Sequence, residues 1–221
     1  MQEHVIIVAG GSGSRIKANR PKQYLEVNGK PIIAHTIEKF FAYNAGIKMY
    51  VVAHKDHLHY MNDLLKKYFP DKEIQTTTGG DTRFESVKKG LALIEPSNAV
   101  VGIHDAARPM VSVETIKRCY EMAAQKGNAI PVVEVNESLR IIENNSNKAI
   151  NRSHYRVVQT PQCFNAEAIK KAFEQEYSSS FTDDATVLER TGEKINLVDG
   201  NTENIKITHD RDLILAQHFL K

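Results

Sequence analysis

Val5-Ile6-Ile7-Val8-Ala9-Gly10-Gly11-Ser12-Gly13-Ser14-Arg15 lies close to the start of the chain and sets its reading. The first half is a continuous apolar run of strand length, as expected of a parallel strand buried on both faces. In the second half Gly10, Gly11 and Gly13 fall within four positions. Without Cβ atoms, such a backbone approaches a bulky anion closely and turns several N–H groups toward it. Arg15, and Lys22 in Pro21-Lys22-Gln23, bring two cations to the same stretch. Bare amides with two positive charges suit a polyphosphate. The cation after Ser14 departs from the G-x-G-x-x-G fingerprint, and the Lys-Ser/Thr ending of a P-loop is absent. A plain strand-to-helix turn is the other reading.

Working outward, strands alternate with helices. Strands are predicted over 4–9, 48–53, 73–77, 99–103 and 128–133. Helices are predicted over 31–42, where Ile33, Ile37, Phe40 and Phe41 share a face, and over 56–69, 83–94 and 112–126. Ser112 reads as an N-cap with Glu114 in the first turn, and further helix starts are expected at Asn165, Thr182 and Thr208. This alternation predicts an α/β fold: a Rossmann-like, mostly parallel sheet with helices on both faces and ligands at the carboxyl ends of the strands. Residues 1–221 are read as one domain.

Residues 134–158 break the pattern. They lack a 3.6-residue period and read as two extended runs joined by Asn144-Asn145-Ser146-Asn147. Such a hairpin leaves Ile141, Ile142 and Ile150 exposed unless something covers them. We read it as a projecting arm that packs on a second subunit; folding back on its own domain is the alternative.

Other polar stretches follow the predicted strands. His104-Asp105-Ala106-Ala107-Arg108-Pro109 puts a carboxylate beyond an apolar run. Beside a phosphate loop, Asp105 suits Mg²⁺, which takes one or two carboxylates plus substrate phosphates; a turn residue paired with Arg108 is the plainer reading. Arg108 reads first as orienting Asp105 or tying down the loop. Gly79-Gly80-Asp81-Thr82-Arg83-Phe84-Glu85-Ser86 is a second glycine turn entering a helix. Its amides and the Ser86 hydroxyl suit the edge of a nucleobase, and Thr82 suits a helix cap. Arg152 and Lys206 are candidates for a second phosphate. His54, His57 and His59 lack the i, i+4 face that a zinc site favours.

Composition narrows the partners. The chain has 29 basic and 27 acidic residues, mixed along its length, for a net charge of +2. No basic stripe for nucleic acid and no membrane patch stands out. Glu3 and the short apolar run near the start argue against a leader or a membrane span. Cys119 and Cys163 are read as free thiols in a reducing cytoplasm.

Taken together, six motifs in order resemble the 2-C-methyl-D-erythritol 4-phosphate cytidylyltransferase family over essentially the whole chain. They are the glycine loop with Pro21-Lys22-Gln23-Tyr24, Gly79-Gly80-Asp81-x-Arg83-x-x-Ser86, His104 to Pro109, Gln159-Thr160-Pro161-Gln162-x-Phe164, Thr182-Asp183-Asp184-Ala185 and Asn204-Ile205-Lys206-Ile207-Thr208. The resemblance implies a nucleotidyltransferase-type α/β fold, CTP and a polyol phosphate as substrates, Mg²⁺, and a homodimer joined by the arms. By position, Arg15 and Lys22 match residues that stabilise the transition state, and Asp105 matches the metal ligand. Ala9, Gly10, Gly11, Gly13, Gly80, Asp81, Arg83, Ser86 and Ala106 are the expected nucleotide contacts. Arg152, Thr160, Thr182, Asp183, Lys206 and Arg108 are the expected set around the sugar phosphate, with the equivalents of Arg152 and Thr160 supplied by the partner subunit.

Three departures are visible. Gly10 stands where the family usually has alanine, as it does in ribitol-5-phosphate cytidylyltransferases; Ile16 replaces a methionine; and the arm carries Glu137-Ser138-Leu139-Arg140. Ala107, where the ribitol enzymes tend to have valine, favours methylerythritol phosphate. A ribitol-5-phosphate cytidylyltransferase, a dinucleotide-binding oxidoreductase and a catalytically silent nucleotide-binding module are the competing readings.

Overall fold

The computed structural model describes residues 1–11, 21–95, 98–144 and 146–220. Gly13 and Arg15 therefore lie outside the described residues, as do Ser12, Ser14, Ile16 and Asn145. In chain order the elements are β1 (Gln2–Ala9), β2 (Glu26–Val27), β3 (Lys30–Pro31), α1 (Ile32–Tyr43), β4 (Lys48–Ala53), α2 (Leu58–Tyr68) and β5 (Ile74–Thr78). They continue with α3 (Arg83–Ala92), β6 (Ala99–Asp105), α4 (Val113–Lys126), β7 (Asn128–Glu134), β8 (Leu139–Glu143), β9 (Ser146–Ile150) and β10 (Arg156–Val158). The last part holds β11 (Gln162–Asn165), α5 (Ala166–Ala172), α6 (Asp184–Glu189), β12 (Leu197–Asp199) and α7 (Asp210–Phe219).

The central sheet runs β10-β7-β11-β6-β1-β4-β5, with β12 also on β7. β1 pairs parallel with both β4 and β6, and β4 pairs parallel with β5. The apolar runs predicted as buried strands lie here, because alternate residues feed opposite layers. Val5 and Ile7 pack with α1, α2 and α4 through Ile37, Phe40, Met61 and Ile116. Ile6 packs on the other face with Phe84, Val87 and Leu91 of α3 and with Ile169 of α5. Helices on both faces leave the carboxyl ends of β1, β4, β5 and β6 along one edge.

Four short strands were not foreseen: β2 and β3, which pair with each other, and β11 and β12 in the main sheet. β11 inserts antiparallel between β6 and β7, and β12 joins β7 in parallel. The helix starts are close to expectation but shifted. Asn165 caps α5 through Ala168 N, whereas Asp183, one residue after Thr182, caps α6, and His209, one residue after Thr208, precedes α7.

The 134–158 segment is shorter as a hairpin than its sequence suggests. Among the described residues, β8 and β9 pair antiparallel only with each other, from Leu139↔Ile150 to Glu143↔Ser146. Residues 156–158 return to the main sheet, with Val157 opposite Val133. Ile142 is 79% exposed, while Ile141 and Ile150 are half-buried.

Candidate active site

The edge formed by the ends of β1, β4, β5 and β6 opens into a cavity of about 490 Å³. Its lining brings together Ala9, Gly10 and Gly11 at the end of β1, His54 after β4, Gly80 to Arg83 with Ser86, Asp105 and Ala106 at the end of β6, and the cations Lys22 and Lys206. Residues far apart in the chain thus meet where an open α/β sheet holds its ligands.

The first glycine turn is held from behind. Gln23, buried in a 3₁₀ turn spanning Lys22–Tyr24, donates from Nε2 to Ala9 O at 2.7 Å and to Gly11 O at 3.1 Å. Its neighbour Lys22 donates from Nζ to Ile207 O at 2.7 Å, which places the ammonium between the start and the end of the chain. Gln23 carries no charge and no catalytic signature, so only its position beside Lys22 hinted at this role.

The second glycine turn folds onto its own helix. Thr82 caps α3 in a capping box with Glu85. The Ser86 hydroxyl donates to Thr82 O at 2.9 Å and accepts from Gly80 N at 3.1 Å. A Cβ at Gly79 would lie 2.7 Å from Ser86 Oγ, so glycine is required for that approach. One acceptor position remains on Ser86 for a ligand. A Cβ at Gly10 would come 3.3 Å from the same oxygen. The departure at Gly10 therefore bears on a residue expected at the nucleotide, not on those expected at the polyol phosphate.

Asp105 is the electrostatic centre. Its Oδ2 lies 2.9 Å from Lys206 Nζ and 3.3 Å from Arg108 Nε, and its Oδ1 lies 3.7 Å from Arg83 Nε. Burial alone would raise this carboxyl, but Lys206, Arg83 and Arg108 outweigh it and hold the group well below the usual carboxylate range. Asp105 stays ionised, and the surplus positive charge around it favours an anion. Arg108 also donates to Asn204 O at 2.8 Å, so it ties the Asp105 loop to the Lys206 loop.

The donor set suits Mg²⁺ in one form. Among the described residues, no group of three His, Cys, Asp or Glu side chains forms a protein-only cage. A single carboxylate at a cavity lined by glycine turns and cations fits an ion that completes its shell with ligand oxygens.

Beneath Asp105 lies a buried polar chain. Asp105 N donates to Thr160 Oγ1 at 3.1 Å, Thr160 Oγ1 is 3.0 Å from His104 Nδ1, and His104 Nε2 is 3.1 Å from Arg108 O. A carbonyl only accepts, so Nε2 carries the proton and Nδ1 accepts from the Thr160 hydroxyl. Burial lowers the His104 pKa to about 4, which keeps the ring neutral. Asn204 Nδ2 adds a bond to Thr160 O at 2.8 Å.

The expected sugar-phosphate residues divide. Lys206 lines the cavity, whereas Arg108 and Thr160 sit under it as supports in the same chain. Thr160 was expected to reach substrate from a partner; here it is buried, and its hydroxyl bonds within its own chain. Arg152 is exposed at the base of the arm, bonded to Asn136 O, and does not line the cavity. Thr182 is exposed, and Asp183 accepts from Thr186 N and from Gln162 Nε2. Arg83, expected to touch the nucleotide, lines the cavity but is paired with Asp184, a residue given no role by its sequence context.

Known proteins resemble this chain along essentially its whole length. A family model described as IspD: 2-C-methyl-D-erythritol 4-phosphate cytidylyltransferase matches residues 3–221. A 2-C-methyl-D-erythritol 4-phosphate cytidylyltransferase of Bacteroides thetaiotaomicron is 43% identical over 220 residues, covering 100% of both chains. The enzyme of that name from Francisella tularensis has a solved structure with a TM-score of 0.82 at 33% identity, over 99% of this chain and 100% of that one. The 4-diphosphocytidyl-2C-methyl-D-erythritol synthase of Anaerococcus prevotii gives a TM-score of 0.85 at 29% identity, over 99% of this chain and 96% of that one.

Proposed function

The chain belongs to the 2-C-methyl-D-erythritol 4-phosphate cytidylyltransferase family, and from that premise we propose how its cavity carries out the reaction. The enzyme couples CTP and 2-C-methyl-D-erythritol 4-phosphate to give 4-diphosphocytidyl-2-C-methyl-D-erythritol and pyrophosphate, a step of isoprenoid precursor synthesis. The ribitol, oxidoreductase and silent-module readings are not favoured.

In our reading, a phosphate oxygen of the polyol forms a bond to the α-phosphorus of CTP while the bond to the β-phosphate breaks. A phosphomonoester loses its second proton near pH ~6, so the nucleophile is ionised at neutral pH and no general base is needed. The barrier lies in anion repulsion: two unit charges 4 Å apart cost ~4 kcal/mol at an effective dielectric of 20, and several such pairs act together. Charge compensation and in-line positioning are therefore the catalytic means.

The observation that carries this assignment is the convergence of Lys22, Lys206 and Asp105 with two glycine turns around one cavity. We assign Lys22, with Arg15, to the charge that builds up at the transferring phosphate. Ala9, Gly10, Gly11, Gly13, Gly80, Asp81, Ser86 and Ala106 are assigned to the nucleotide, and Lys206 to the incoming phosphate. Asp105 would hold Mg²⁺, which when bound neutralises triphosphate charge.

Arg152 is assigned to the sugar phosphate of a second subunit, because it stands outside its own cavity beside the arm. A homodimer is supported by apolar surface there: Ile142, Tyr155, Val157 and Val158 are all exposed in the single chain. Burying such surface is the main drive to association. A cytoplasmic location completes the proposal; Cys119 and Cys163 are buried and unbridged.

Pyrophosphate release tests the function. With CTP, turnover is expected on methylerythritol phosphate and not on ribitol 5-phosphate; the reverse preference would overturn the substrate assignment.

A further inference from the structure

Asp184 is fully buried, and its two oxygens are taken by one partner. It opens α6 straight after Thr182-Asp183, while Arg83 opens α3 straight after the second glycine turn. Arg83 Nη1 and Nη2 donate to Asp184 Oδ1 and Oδ2 at 2.7 and 2.6 Å. Arg83 Nε lies 3.7 Å from Asp105 Oδ1. One guanidinium thus spans two carboxylates, the first outside the cavity lining and the second within it.

The guanidinium is planar and rigid, so fixing its two Nη atoms also fixes where Nε sits. Burial pushes the Asp184 carboxyl upward against the pull of Arg83, while Asp184 holds the guanidinium firmly charged despite burial. The bidentate contact is that of an ion pair, and both groups carry charge at neutral pH. A buried pair adds little net stability over apolar packing of the same volume, whereas its orientation reaches Asp105 directly.

We propose that Asp184 is a positioning residue for cytidylyl transfer: it aligns Arg83 so that the guanidinium holds Asp105 in place, without itself touching substrate. The proposal rests on the cavity being the CTP site.

Three variants test it: Asp184→Glu, Asp184→Asn, and the double Arg83→Gln/Asp184→Asn. The double removes both charges and leaves two amides able to bond each other. Its melting temperature is expected to recover to within about 3 °C of the parent, from the lower value of Asp184→Asn. Its kcat/KM for CTP is expected to remain roughly tenfold to a hundredfold below the parent, as for a small displacement near reacting groups. Asp184→Glu keeps the charge but moves it by one methylene, so a similar loss of kcat/KM is expected beside some overpacking cost in melting temperature. If the double variant, or Asp184→Glu, turns over CTP within threefold of the parent, the pair is only a structural tie and the proposal is overturned. Lys22→Ala in the same assay separates the two levels: wild-type turnover there would overturn the reading of the cavity itself.

Discussion

Lys206 Nζ sits 2.9 Å from Asp105 Oδ2, joining a loop near the end of the chain to the end of β6. The lysine is partly exposed to the cavity and the carboxylate nearly buried. Such a lysine neutralises Asp105 when the cavity is empty of substrate and is placed to meet an incoming anion. Lys206→Met is expected to raise KM for the polyol phosphate and to lower kcat by roughly 10²-fold, the loss typical of one preorganised donor. Steady-state kinetics with each substrate varied in turn will check this.

Lys22 presents a second cation beside the Lys206 loop, its Nζ donating to Ile207 O. Lys22→Ala is expected to lower kcat by roughly 10²–10³, with far-UV circular dichroism unchanged. The variant loses the hydrogen bond from Nζ to Ile207 O. A fall under threefold would remove Lys22 from the site.

Arg152 provides a test across subunits. Alone, Arg152→Ala is expected to raise KM for the polyol phosphate while KM for CTP holds. Mixed with Lys22→Ala after unfolding and reassembly, it is expected to regain activity, because one site in each mixed dimer would hold both intact residues. No recovery on mixing would place Arg152 in its own chain's site or in none.

Much of this architecture was legible in the residues. Val5 to Val8 and Val100 to Ile103 read as buried strands because unbroken apolar runs need cover on both faces. The first glycine turn and Asp105 were legible because each follows such a run, whereas Gly79-Gly80 follows the mostly polar strand Ile74–Thr78 and was legible from its paired glycines. β11 was not: of Gln162–Asn165 only Cys163 and Phe164 are apolar, and its place between β6 and β7 depends on long-range pairing. Gln23 and Asp184, and the intrachain bonds of Thr160, escaped for a related reason. Each acts through a partner distant in sequence, and a polar side chain alone does not say whether its bonds go to ligand or protein. The arm was drawn too long because Arg156–Val158 is as extended as the hairpin, although it pairs with β7.

His104 links the site to pH. Burial lowers its pKa from 6.5 to about 4, so the unfolded chain binds the proton between those values while the native chain does not. Stability therefore rises with pH across that window, and this contribution is full above pH 6.5 and lost as pH falls toward 4. The shift corresponds to roughly 3 kcal/mol. Urea unfolding midpoints measured across the window are expected to climb with pH, and His104→Gln to flatten that climb.

A crystal soaked with CTP and magnesium tests the central assignment most directly. The triphosphate is expected beside Gly10, Gly11 and Lys22, with the metal on Asp105 and the base against Gly80 and Ser86. Nucleotide density elsewhere, for example in the shallow cleft between α5 and α6 lined by Lys171 and Thr191, would contradict it.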